Sequence, residues 1–275
     1  LGETLIDFTP DGKNTQGSQL YAQNPGGAPA NVLAMYAKLG GRAAFIGKVG
    51  MDAFGSFLEG MMQAAHIDTS ALQTEDAPTT LAFVHLDAHG ERSFSFYRHP
   101  GADLCLTYDE VPEHLLAECR VFHFGSVSMT DEPARSATLF AARYAREHGL
   151  TVSYDPNLRR NLWSDEQTAR QYIREGLNLC DVAKLSDEEC TFLCGDGEID
   201  ALGHRLLAEH PNLKLLFVTC GAGGSYAFCG SRMAFVPGFS VKIADTTGAG
   251  DAFVGAVLYQ ILRRGGLREA YSPAE

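Results

Sequence analysis

The sequence predicts an α/β fold: a three-layer α/β/α arrangement around a mostly parallel sheet, with a small antiparallel β-sheet standing off it. Three observations carry this prediction. Short apolar runs alternate with helical patterns. Polar and glycine residues collect where those runs end. Two segments break the alternation and read as hairpins.

Taken in order, Asp7 comes just after an apolar run, and "FTPDGKNTQGSQLYAQNPG" (8–26) reads as the first hairpin. "APANVLAMYAKLGG" is a helix that starts after Pro25-Gly26-Gly27 and stops at Gly40-Gly41. "DAFGSFLEGMMQAAH" is a second helix. The segment 79–103, "TTLAFVHLDAHGERSFSFYRHPGAD", alternates apolar and polar residues around a "DAHGE" turn. "DEPARSATLFAARYAREHG" is a helix with Asp131 as cap and Gly149 as stop, and "SDEQTARQYIREGLNLC" is one with Ser164 as cap. The runs "AAFIGKV", "VFHFGS", "LTVSYD", "DVAKLS" and "LKLLFVT" are expected to be buried strands, each followed by a helix. Ligands of such sheets bind beyond the carboxyl ends of the strands. Those ends are Gly125-Ser126, Asp155-Pro156-Asn157, Ser186-Asp187-Glu188, Thr219-Cys220-Gly221 and Asp245-Thr246-Thr247-Gly248. A small sheet with an apolar face needs cover from substrate closure or from a second subunit.

Composition excludes several function classes. With 275 residues and 45% hydrophobic content, the chain suits one large α/β domain or a domain plus an excursion. A formal charge of −12 without a basic stripe argues against a nucleic-acid partner. No apolar run reaches about 18 residues and no signal peptide is evident. A cytoplasmic protein with no membrane partner is therefore expected. Seven scattered cysteines, with no C-x-x-C pair, fit reduced thiols better than a disulfide framework or a metal site. His123 is expected to be a strand residue satisfied by a backbone group.

Two nucleotide motifs come close and fail. In "GRAAFIGKV" five residues separate Gly41 from Gly47, and Val49 replaces the Ser/Thr of a P-loop. In "GAGDAF", Phe253 stands where the third glycine of a dinucleotide fingerprint belongs. The stretch Gly248-Ala249-Gly250 remains a phosphate device of another kind, with glycines that admit close approach at a helix N-terminus. Asp251 directly behind it reads equally as a helix cap or as a base. Its pKa is expected to be low beside the helix amides. Gly26-Gly27 leaves room for a small ligand, Asn31 carries a donor and an acceptor, and Asp7 can accept two hydroxyls. Taken singly, a tight turn, a surface amide and a solvated acid explain these residues as well.

"NPGGAPANVLAMYAKLGGRAAFIGKVGMDAFG" together with "DTTGAGDAFVGA" resembles the two signature regions of the ribokinase-type carbohydrate kinase family, in order and spacing. "GETLIDF", "FSFYRHPGAD", "FHFGSVSMTDEPAR", "DPNLRRNLW" and "KLSDEE" are most similar to bacterial and plant-type fructokinases. The resemblance implies a ribokinase-like fold in which 8–26 and 79–103 form a lid. It implies ATP-dependent phosphorylation of D-fructose, with ribose, 2-keto-3-deoxygluconate or an aminoimidazole riboside as alternative acceptors. A non-catalytic sugar-binding regulator on the same fold is a further alternative.

The resemblance makes Asp251 the catalytic base and Gly248, Ala249 and Gly250 the anion hole. It gives sugar contacts to Asp7, Gly26, Gly27 and Asn31, with Arg98 where lid residues approach substrate. Ser186, Thr219, Gly221, Gly224 and Arg159 fall to the nucleotide, although Arg159 also reads as a strand-end salt-bridge residue. Glu189 would hold Mg2+ through water, and Asp245 and Thr247 a monovalent cation, K+, as activator. Sugar and ATP are the implied partners, with a homodimer through the lid. Two departures stand out. Ser186 replaces the amide of the family's N-x-x-E, and the C-terminal part of the family's fold, which flanks the adenine, is expected to be missing or incomplete.

Overall fold

The computed structural model describes residues 1–86, 92–241 and 246–267. The chain opens with β1 (Leu5–Lys13), β2 (Gln19–Gly26), α1 (Ala28–Lys38), β3 (Ala43–Gly50), α2 (Ala53–Ala64), β4 (Ile67–Glu75), β5 (Leu81–Leu86) and β6 (Arg92–Tyr97). It continues with α3 (Glu113–Ala117), β7 (Val121–Gly125), α4 (Ala134–Glu147), β8 (Thr151–Asp155), α5 (Glu166–Leu179), β9 (Val182–Ser186), α6 (Asp187–Cys194) and α7 (Ile199–Glu209). β10 (Leu215–Thr219), β11 (Gly224–Cys229), β12 (Arg232–Pro237) and α8 (Ala249–Arg263) complete it.

The main sheet has six strands in the order β12-β11-β10-β9-β8-β7. Strands β7 to β10 are parallel and largely buried, which is what two helical layers require. Phe122, Phe124, Tyr154, Leu185 and Val218 form its core, with the Phe124 and Tyr154 rings 4.5 Å apart. Register sets the strand ends level. Gly125 lies opposite Asp155, and Ser186 opposite Thr219. The polar strand ends read from the sequence therefore share one edge.

Several expectations shift. β10 is followed by antiparallel β11 and β12 rather than by a helix, because the glycine-rich "GAGG" turns the chain straight back. β3 pairs with β4 in a separate two-stranded parallel sheet. The first residues stitch this unit to the main sheet: the Leu1 amino group donates to His123 O at 2.8 Å and Gly2 N to Ile46 O at 3.2 Å. Asp165, not Ser164, caps α5, since its extended backbone aims the carboxylate at Thr168 N at 2.8 Å. Asp131 does not cap α4, because Oδ1 turns back to accept from Glu132 N. His123 meets a side chain rather than a backbone group, with Nδ1 3.0 Å from Ser153 Oγ. The lysine of the failed P-loop is structural as well. Lys48 is buried and paired with Glu110 at 2.7 Å and Glu75 at 3.0 Å.

The smaller sheet has the order β2-β1-β5-β6. The β1–β2 and β5–β6 hairpins are both antiparallel, but β1 pairs with β5 in parallel, so the sheet is mixed rather than antiparallel. The "DAHGE" turn lies outside the described residues. Aromatic rings tie the four strands together across one face: Phe83 is 4.9 Å from Phe8, 5.5 Å from Tyr21 and 5.5 Å from Tyr97.

The contact that positions the site is the crossing of α1 and α8. Val32, Val254 and Leu258 bury themselves between the two helices, each contributing about 1.5–3 kcal/mol of burial. Gly255 makes the approach close. A side-chain carbon there would lie 2.5 Å from Val32 O and 2.9 Å from Met35 Cβ. Bare backbone at this point lets the two helix N-termini converge.

Candidate active site

α8 begins at Gly248, whose left-handed backbone (φ 73°) suits a residue without a side chain. Asp251 sits in the first turn and does not cap it. Its Oδ2 accepts instead from Asn31 Nδ2 at 2.9 Å, across the α1–α8 crossing. Asn31 stands one turn into α1, where its amide N–H donates to Gly27 O. Gly27 turns the chain into that helix with φ 105°, and a side-chain carbon there would lie 2.5 Å from Glu3 O.

Burial raises Asp251 from the ordinary 3.8 to about 6. The hydrogen bond from Asn31 and the charges of Lys184 and Arg159 oppose that rise, and Asp155 adds to it. The expected low value is thus reversed, because loss of water outweighs the helix end. Asp7, on β1, rises to about 6 for the same first reason, with Arg159 opposing and Asp251 adding. Gly26, on β2, gives Asp7 its space, since any side chain there would strike the Asp7 carboxylate. Asp7, Gly26, Gly27, Asn31, Gly248 and Asp251 thus converge on one place.

Arg159 belongs to the same neighbourhood. Its charge acts on both Asp7 and Asp251, and its guanidinium lies 5.6 Å over the Phe94 ring of β6. Ser186 and Thr219 end adjacent strands, Gly221 lies in the turn after β10, and Gly224 opens β11. Gly224 has no room for a side chain, which would meet Val236 O. Ala249 and Gly250 form the start of α8, and Thr247 lies in the turn before it. Asp245 lies outside the described residues.

Two expected site residues are committed elsewhere. Arg98 is buried at the root of the smaller sheet. Nε donates to Asp103 Oδ2 at 2.9 Å, Nη2 to Val127 O at 3.0 Å and Nη1 to Thr130 Oγ1 at 2.8 Å. Its donors hold β6 to the turn after β7 rather than facing a ligand. Glu189 is also buried, and its two oxygens accept from Leu158 N at 2.7 Å and Ser186 N at 2.8 Å. Ser186 Oγ in turn accepts from Glu189 N, so Ser186-Asp187-Glu188-Glu189 is a capping box on α6. A carboxylate held this way does not fit the expected water-mediated magnesium ligand. Among the described residues no group of three or more His, Cys, Asp or Glu fits a metal ion.

Asp155 and Lys184 complete the floor of the site. Asp155 was legible only as a strand end and Lys184 not at all. Lys184 Nζ lies 3.2 Å from Asp155 Oδ2, and both side chains are buried. The readable signal is a lysine inside an otherwise apolar parallel strand, "DVAKLS", where an amine stays only if paired.

The family description "pfkB family carbohydrate kinase" matches residues 1–274. This chain belongs to the pfkB family of carbohydrate kinases. It is 46% identical to a probable fructokinase-2 of Arabidopsis thaliana over 265 residues, 95% of this chain and 80% of that protein. The structure of fructokinase from Xylella fastidiosa with bound ATP is 37% identical with a TM-score of 0.85, over 95% of this chain and 80% of that one. Fructokinase from Vibrio cholerae O395, bound to fructose, ADP and a calcium ion, is 39% identical with a TM-score of 0.85, over 94% and 82%. This pfkB chain thus has the ribokinase-like fold and is a phosphotransferase of the carbohydrate kinase class. None of its described helices is long and apolar enough to cross a membrane.

The raised Asp251 carries a stability signature. A carboxyl whose folded pKa exceeds its unfolded one favours the fold fully below 3.8, and that contribution is lost as pH rises through about 6. Asp251→Asn is therefore expected to stabilise the chain by about 1–2 kcal/mol at pH 8, allowing for partial exposure, and by at most about 0.5 kcal/mol at pH 4. Urea unfolding at both pH values checks this; equal effects at the two would contradict it.

Proposed function

We propose that this chain transfers the γ-phosphoryl group of ATP to the primary hydroxyl of D-fructose, giving fructose 6-phosphate and ADP. The single observation that carries the reading is the Asp251 carboxylate, set behind the Gly248–Gly250 turn, held by Asn31 and near Asp7. The relatives named fructokinase support the choice of sugar.

In this reading Asp7 accepts two sugar hydroxyls, and Gly26, Gly27 and Asn31 bound the sugar. Asp251 takes the proton of the primary hydroxyl as the sugar oxygen bonds to the γ-phosphorus. The bond from that phosphorus to the β-phosphate oxygen breaks, with its electron pair leaving on ADP. The N–H groups of Gly248 and Gly250 and the N-terminus of α8 face the charge spread over the transferring group, while the Ala249 N–H donates to Thr246 O at 3.1 Å and closes the turn. A pKa near 6 leaves Asp251 ionised at neutral pH yet basic enough to accept a proton. Ser186, Thr219, Gly221, Gly224 and Arg159 border the nucleotide.

Magnesium bound to ATP would supply charge that neutralises its phosphates. No step here runs through it or through potassium, which we propose as an activator from Thr247 and Asp245. We read the described parts of 8–26 and 79–103 as a lid on a single kinase domain, closing to exclude water. Its exposed Leu20, Tyr21 and Tyr97 support a homodimer through this sheet; light scattering at micromolar concentration is expected to give twice the chain mass, and a monomer would remove that part of the proposal.

A coupled ADP-release assay over a panel of sugars tests the central reading. Fructose is expected to give the highest kcat/KM, falling as pH drops below about 6, and faster in potassium than in tetramethylammonium buffer. Asp251→Ala is expected to lose at least about a thousandfold in kcat, with fructose affinity within a few-fold of the parent. Near-parental turnover, or sugar binding without ADP release, would overturn it; a higher rate with a riboside would change the acceptor.

A further inference from the structure

Lys184 has no part in the steps above, yet it is the buried cation nearest the glycine turn. It projects from β9, its side chain 11% exposed, beneath the first turn of α8. A side-chain carbon built at Gly250 would lie 3.1 Å from its Nζ and 3.6 Å from its Cε. The ammonium thus occupies the space that the glycine leaves open.

Asp155 holds it there. Nζ is 3.2 Å from Oδ2 and 3.4 Å from Oδ1 of that carboxylate, itself buried at the end of β8. Asp155 Oδ1 also accepts from Asn157 N at 3.2 Å. Among the described residues its Oδ2 accepts no hydrogen bond, and the Lys184 ammonium is the cation paired with it. Burial pulls the lysine down, but Asp155, Glu189 and Asp251 outweigh it and hold the amine protonated.

The charges around Asp251 come from several elements. Asn31 approaches from α1, Asp155 from β8, Lys184 from β9, Arg159 from the turn after β8 and Asp7 from β1. Glu189, from α6, faces Lys184 and Asp155. Asp155 and Asp7 are acids, which drive Asp251 toward its neutral form. Of the two cations, Lys184 alone is locked by a buried partner. Arg159 is half-buried and, among the described residues, hydrogen-bonds only the neighbouring Leu158 O.

We propose that Lys184 is a positioning residue of the phosphoryl transfer: clamped by Asp155 under Gly250, it supplies the fixed positive charge that keeps Asp251 ionised and ready to accept the sugar proton. This deepens the kinase reading and rests on it for its meaning, though not for its measurement. Asp155 acts one step further out, by fixing the ammonium. The two members of the pair divide the work: the carboxylate pays for burying the amine, and the amine's remaining field reaches Asp251.

Two readouts test this on the full chain. In the free protein, the 13Cγ resonance of Asp251 follows its titration by NMR without any turnover. The apparent pKa is expected to move up by about one unit or more in Lys184→Met, the size of a lost neighbouring charge, and to stay near the parent in Lys184→Arg. In ADP release at saturating fructose and ATP, where the sugar occupies Asp7, the acid limb of kcat is expected to move the same way. A purely structural lysine would lower kcat equally at all pH values and leave the limb in place. Should Lys184→Met fail to fold, Lys184→Gln keeps a hydrogen bond to Asp155 without the charge and carries the same expectation. An unmoved Asp251 titration in the neutral variants overturns the proposal. A parent that titrates as expected but releases no ADP with any sugar overturns the kinase reading instead.

Discussion

The site depends on how closely α1 and α8 cross. Asn31 and Asp251 are 220 residues apart in sequence and 2.9 Å apart in space. Only the missing side chain at Gly255 brings the two backbones near enough, with Val32, Val254 and Leu258 sealing the contact. Each helix contributes its N-terminal end. α1 brings Gly27 and Asn31, and α8 brings Gly248 to Asp251. The fold thus aims two helix N-termini at one spot above the edge of the main sheet.

Charge is concentrated there at the expense of stability. Asp7, Asp155, Glu189 and Asp251 lie around Lys184 and Arg159 in a largely buried setting. Burial raises Asp7 and Asp251 to about 6 each. A more exposed or better capped aspartate would be more stable and a poorer base. The same loss of water that destabilises the ionised acid raises its proton affinity into a useful range, a trade between stability and function.

Much of this was legible in the sequence, and the gaps have physical causes. The α/β alternation and the polar strand ends followed from apolar periodicity, which depends on local spacing. The parallel β1–β5 pair did not, because register between distant segments leaves no local mark. Asp165 displaced Ser164 as a cap because two good cappers stand side by side and backbone geometry chooses between them. Asp251 was readable as a base or a cap; its reach to Asn31 instead of the helix end decides for a group held across the crossing. Arg98 and Glu189 carried the right chemistry for a site, but their partners Asp103, Val127, Leu158 and Ser186 consume it. Lys184 was overlooked because its meaning lies in Asp155, on the neighbouring strand.

The most direct test of this account is a double-mutant cycle on kcat/KM for fructose with Asn31→Ala and Gly255→Ala. If the glycine matters because it brings Asn31 to Asp251, each change alone lowers kcat/KM, and the double variant falls within about twofold of the worse single. If the two losses multiply, the helix crossing and the Asn31–Asp251 bond act independently, and the account is wrong.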